Sequence, residues 1–136
     1  MQEVVKFIKE NNIGKYETNY SIKNTNKLIL LLKYLKEHNI KYKVIGNGSN
    51  LLFSDKVYNG VLIKLSEFDE LEIKGTSIKV GAGYSLIKLA KEAMKKSLTG
   101  LEFASGIPGS VGGSVFMNAG AYKSDMGYVV KGVKFT

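Results

Sequence analysis

Cysteine, tryptophan and arginine are absent from this 136-residue chain, and histidine and proline occur once each, at His38 and Pro108. Each gap closes off a class of chemistry. Without cysteine there is no disulfide, thiol nucleophile or iron–sulfur ligand, the usage expected of a cytoplasmic protein. One histidine cannot build a multi-histidine metal site within the chain, and no metal site is expected. Sequence-reading nucleic-acid binders rely on arginine forks, whereas all twenty basic residues here are lysine. No dense basic block with interleaved aromatics occurs either. The net charge of +8, with abundant Lys, Asn, Ile and Tyr, speaks for a biased genome more than for a nucleic-acid surface, though lysines can still attract phosphate-bearing ligands at long range. No apolar run approaches the roughly 20 residues of a membrane span. Glu3, Lys6, Lys9 and Glu10 leave no apolar signal segment at the start.

What is present is 44% hydrophobic residues with charges spread evenly, which suits one soluble domain over residues 1–136. Val4, Val5 and Ile8 share one face of an opening helix that Asn11, Asn12 and Gly14 should end. Tyr16, Thr18, Tyr20 and Ile22 alternate with polar residues as a short strand would. Leu28, Ile29, Leu31, Leu32 and Leu35 then draw the stripe of a second helix, capped by Asn24 or Thr25, with His38 solvated in its last turn. Lys43–Ile45 and Leu51–Phe53 read as strands either side of a glycine-rich turn, and Val61–Leu65 as another. Leu71–Lys74 and Ser77–Val80 alternate around Gly75-Thr76, a two-residue hairpin. Ser85 caps a helix to Lys96 that turns Leu86, Leu89, Ala90, Ala93 and Met94 inward. Val129–Phe135 is expected to be a last strand. This order predicts an α+β domain with a mixed sheet, and its lack of regular strand–helix alternation argues against a Rossmann fold.

Two stretches hold the candidate chemistry. Gly46, Asn47, Gly48, Ser49 and Asn50, followed by Leu51, fill one turn after an apolar strand, where several main-chain N–H groups can converge on an anion. An ordinary tight turn would read the same way. The second stretch runs from Gly106 through Ile107, Pro108, Gly109, Ser110, Gly112 and Gly113 to Asn118, Gly120, Ala121 and Tyr122, with five of the fifteen glycines. It reads as an ordered loop entering a short helix, with Ser110 to Gly113 offering N–H groups and a hydroxyl at the helix start; a packing loop that needs glycine for closeness is the alternative. Val111, Val115, Phe116 and Met117 give it an apolar side for packing. Neither stretch is a Rossmann or Walker fingerprint. Glu102 and Asp125 flank the second stretch as solvated charges. Two such loops in one chain favour a large phosphate-bearing ligand.

Gly46-Asn47-Gly48-Ser49-Asn50-Leu51-Leu52, Gly81-Ala82-Gly83, Gly106 to Gly113 and Asn118-Ala119-Gly120-Ala121-Tyr122 occur in this order. Together they resemble the UDP-N-acetylenolpyruvoylglucosamine reductase (UDP-N-acetylmuramate dehydrogenase) family. The resemblance implies an FAD-binding domain of the PCMH/vanillyl-alcohol-oxidase type, cytoplasmic location, and NADPH-dependent reduction of a UDP-sugar enolpyruvyl ether in peptidoglycan synthesis. It further implies that Gly46 to Asn50 wrap the FAD pyrophosphate, that Gly106 to Gly113 lie along the cofactor, and that Asn118 to Tyr122 extend this wall toward the flavin. Two departures stand out. Tyr20-Ser21-Ile22-Lys23 passes almost directly into Asn24-Thr25, as though a dozen or more residues of the first β-unit were missing. The family's catalytic arginine, serine and glutamate lie beyond the region matching Thr136, so no catalytic residue is expected here. The chain thus reads as a truncated FAD-binding portion, inactive alone, whose substrate domain a separate chain could supply. A non-enzymatic flavin- or nucleotide-binding module and an inert gene remnant are the alternatives.

Overall fold

The computed structural model describes residues 2–11, 13 and 22–136. Helix α1 (Gln2–Glu10) and helix α2 (Thr25–Glu37) form where apolar residues recur at helical spacing. Asn24 starts α2 as expected: its side-chain oxygen accepts from the N–H groups of Asn26 at 2.8 Å and Lys27 at 3.3 Å. Val4 and Ile8 of α1 and Leu28, Leu31 and Leu35 of α2 close on Ile13, Ile22 and Ile63 as a first apolar cluster. Phe7 stacks on Tyr34, which stacks in turn on His38. His38 ends α2 exposed, its Nδ1 2.9 Å from the Tyr34 carbonyl. The strand expected over Lys15–Lys23 lies largely outside the described residues.

Strands β1 (Tyr42–Ile45) and β2 (Val61–Lys64) pair in parallel, Ile45 opposite Lys64, so both carboxyl ends finish at the same edge. Strands β3 (Leu71–Lys74) and β4 (Ser77–Val80) form the expected antiparallel hairpin. Ser85 caps helix α3 (Leu86–Lys95), whose buried face is Leu86, Leu89, Ala90 and Ala93. A 3-10 turn (Glu102–Gly106), helix α4 (Val111–Phe116), the short hairpin strands β5 (Gly120–Ala121) and β6 (Ser124–Asp125), and a second 3-10 turn (Met126–Tyr128) complete the order. Phe103, Ala104, Val111 and Met126 pack on α3 as a second apolar cluster. The α+β class and the mixture of parallel and antiparallel pairing stand, with the described strands distributed over three two-stranded ladders.

Four local expectations are corrected. Leu51–Phe53 is irregular and exposed, because no described strand lies alongside to accept its ladder bonds. Val129–Phe135 is no strand either: the Val129 and Val130 N–H groups both turn back to the Met126 carbonyl, and Phe135 is 87% exposed. Met94, at the margin of the α3 stripe, is exposed instead of inward. On α4, Val111 is buried and Val115 packs on the second cluster, but Phe116 and Met117 face outward. A six-residue helix has too narrow a buried face to take in all four.

Asn24→Ala should remove the cap of α2 and cost about 1 kcal/mol. Urea unfolding reads this as a lower midpoint at unchanged slope; an unchanged midpoint would contradict the capping role.

Candidate cofactor-binding site

The two glycine-rich stretches meet. Ser49 Oγ donates to the Pro108 carbonyl at 2.9 Å, across 59 residues of sequence. Gly46 sits so close to α4 that a Cβ there would lie 2.6 Å from Ser110 Oγ and 3.6 Å from Gly113 Cα. A Cβ there would force the Ser110 hydroxyl aside. Gly48 has φ +78, the left-handed region, and the Leu51 N–H closes the turn on its carbonyl at 3.4 Å. Both parts line a cleft of about 920 Å³, at the upper end of small-molecule pocket sizes.

The backbone bonding of the two loops differs. In the first, the N–H groups of Asn47, Gly48, Ser49 and Asn50 donate to no protein acceptor among the described residues. In the second, the Val111 N–H goes to the Tyr84 carbonyl and that of Gly112 to Ala82, each at 2.8 Å. The Gly113 N–H goes to Ser110 Oγ at 3.3 Å, the cap of α4. The expected donor array at Ser110 to Gly113 is therefore corrected: three of its four amides are spent on the protein. The Gly109 carbonyl also accepts from the Leu86 N–H at 3.0 Å, so this loop is braced against the start of α3. Anion-nest chemistry falls to Asn47–Asn50, and the second loop is a stiff wall.

Of the residues singled out in the sequence, Gly46, Asn47, Gly48, Ser49, Asn50, Leu51, Ile107, Pro108, Gly109, Ser110, Gly112, Gly113, Asn118 and Gly120 line this cleft. Gly106, Ala121 and Tyr122 do not. Gly106 ends the first 3-10 turn, and Tyr122 forms the β5–β6 turn with Lys123, both at positive φ, which carries its ring away, 91% exposed. Asn118 spends its side-chain oxygen on the Gly127 N–H at 2.8 Å. Glu102 and Asp125 lie off the cleft with their carboxylates on the N–H groups of Gly100 and Gly127. Missed as site residues were Ala82 and Gly83, although they belong to a quoted motif, and the Tyr42–Ile45 and Lys64–Ser66 segments. The carboxyl ends of two parallel strands were the available signal.

The ionisable residues among those described that line the cleft are Tyr42, Lys43 and Lys64, with no acid among them. Lys23 and Lys95 carry ammonium groups raised above their usual range by hydrogen bonds to Glu67 and Glu92, and both lie elsewhere. Among the described residues no group of three or more His, Asp or Glu is placed to hold a metal ion, and no helix is long and apolar enough to cross a membrane.

A glycine-walled cleft with open amides fits a dinucleotide, and sequence comparison decides the family: the pattern described as an FAD binding domain matches residues 20–136. The chain belongs to this FAD-binding domain family. Its relatives include UDP-N-acetylenolpyruvoylglucosamine reductases from Bacillus subtilis, 40% identical over 96% of this chain and 49% of that protein, and from Halalkalibacterium halodurans, 54% identical over 80% and 35%. A crystal structure of the corresponding reductase from Thermus caldophilus superposes with a TM-score of 0.61 at 36% identity, over 79% of this chain and 37% of that one. The FAD-binding domain member described here thus spans about a third to a half of these proteins. The 149 positions aligned with the Bacillus subtilis protein outnumber the 136 residues of the chain, so at least 13 fall opposite none of its residues.

Gly46→Ala should lower stability by about 1–3 kcal/mol through overpacking against Ser110. Ser110→Gly alone should cost only a few tenths of a kcal/mol, and combining the two should recover most of the Gly46→Ala loss. Additive losses in a double-mutant cycle would show that the two loops do not touch as described.

Proposed function

We propose that this chain is the flavin-holding portion of a UDP-N-acetylenolpyruvoylglucosamine reductase, and that it binds FAD without turning over by itself. The observation that carries the reading is the run of four N–H groups, Asn47 to Asn50, without protein acceptors in a turn lining a dinucleotide-sized cleft. In this reading these amides take the pyrophosphate oxygens, while Gly46 and Gly48 let the backbone come close. Ile107 to Ser110, with Gly112 and Gly113, form the facing wall, and Asn118 and Gly120 extend it. Leu51, Phe116 and Met117 supply an apolar rim on which a ring system can pack. When bound, FAD supplies the two-electron relay between NADPH and the enolpyruvyl ether of the UDP-sugar.

The chain's own residues supply less than the full reaction needs. Reduction of an enolpyruvyl ether calls for a cation on the substrate carboxylate and an acid that protonates the carbon beside it. The cations among the described cleft residues, Lys43 and Lys64, stand beside the turn that takes the pyrophosphate in this reading, and the sequence contains no arginine. Turnover therefore depends on a further domain, in the same chain or a separate one. Exposed apolar side chains beside the first loop, Leu52 at 101% and Phe53 at 56%, suit a surface that such a domain covers.

Titration of the chain with FAD should give saturable quenching of flavin fluorescence. Incubation of the loaded chain with NADPH and UDP-N-acetylenolpyruvoylglucosamine should yield no UDP-N-acetylmuramate. Unquenched flavin would overturn the cofactor reading; product formed by this chain alone would overturn its dependence on a further domain.

A further inference from the structure

We propose that Lys43 and Lys64 form a two-lysine anion clamp in the cleft and that the FAD pyrophosphate is the anion they hold. This rests on the cofactor reading above and adds side chains to a site so far built from peptide groups. Successive residues of a strand point to opposite faces, and directly paired residues of a parallel ladder share a face. The register Lys43↔Leu62 and Ile45↔Lys64 therefore sets Lys43 and Lys64 diagonally on one face of the β1–β2 ladder. The opposite face carries Val61 and Ile63, which pack into the first apolar cluster, and on β1 Tyr42 and Val44. Strand spacing and rise put the two lysine Cα atoms on the order of 8 Å apart, close enough for two flexible ammonium groups to straddle one diphosphate.

Neither lysine forms an ion pair among the described residues, whereas Lys6, Lys23, Lys74 and Lys95 each reach a glutamate. With no acid among the described residues that line the cleft, a bound anion is the counter-charge available to two lysines on one strand face. The placement also suits the chain path. Ile45 leads directly into the Gly46–Asn50 turn and is paired with Lys64, so the second lysine stands beside the open amides. Charge and N–H donors then act on the same oxygens, and the hydrogen bonds become charge-assisted.

FAD and riboflavin, which share the ring system and differ in the diphosphate, separate the possibilities by fluorescence titration. Lys64→Gln should weaken FAD binding about tenfold, Lys43→Gln likewise, and neither should change riboflavin affinity. Lys64→Arg should restore most of the FAD affinity, and Lys91→Gln on the exposed side of α3 should leave it at the parent value. The double variant should also lose FAD affinity less steeply with added salt than the parent. If the parent binds FAD and both glutamine variants bind it equally well, the clamp is wrong and the cofactor reading stands. If the parent leaves FAD free, both fall.

Discussion

The close approach of two backbones is the constraint from which the rest of this structure follows. Gly46 lies against Ser110 and Gly113, and Ser49 reaches across to the Pro108 carbonyl, so the end of one parallel strand pair is fastened to the start of α4. These two places belong to different apolar clusters. Ile63 of β2 is buried with α1 and α2, while Val111 of α4 is buried with α3 and the 3-10 turns. The cleft is the seam between two separately packed halves, and a Cβ at Gly46 would displace the Ser110 hydroxyl that caps α4.

The seam is stiff on one side and open on the other. Tyr84, Ala82 and Gly109 trade backbone bonds with Val111, Gly112 and Leu86, which locks the α4 side to the first turn of α3. The segment behind it is held as well, by the N–H groups of Gly81 and Gly83 on the carbonyls of Glu70 and Phe68, both at 2.8 Å. Across the cleft, the Asn47–Asn50 amides donate to no protein acceptor among the described residues. For the anion site proposed above, a rigid wall facing a row of donors means that little reorganisation opposes binding.

Much of this was legible in the residues, because local chemistry determined it. Asn24 and Ser85 are caps with the side-chain oxygens that caps need, and both start helices. Gly75-Thr76 turns the hairpin at the expected register. Both glycine stretches lie on one cleft, although only the first keeps its amides clear of protein acceptors among the described residues. The errors came from non-local facts. Leu51-Leu52-Phe53 has strand composition but no ladder beside it, and exposure is no property of composition. The second loop looks as rich in donors as the first, and only the three-dimensional structure shows where the Val111 and Gly112 amides go. Lys43 and Lys64 carry no motif, since their shared face depends on a register between strands sixteen or more residues apart.

The most direct test of the central claim is the amide spectrum of the isotope-labelled chain with and without FAD. The account predicts that the Asn47, Gly48, Ser49 and Asn50 resonances shift strongly downfield on binding, while those of Val111 and Gly112, already bonded to carbonyls, move little. Shifts concentrated at Val111–Gly113, with Asn47–Asn50 unmoved, would contradict it.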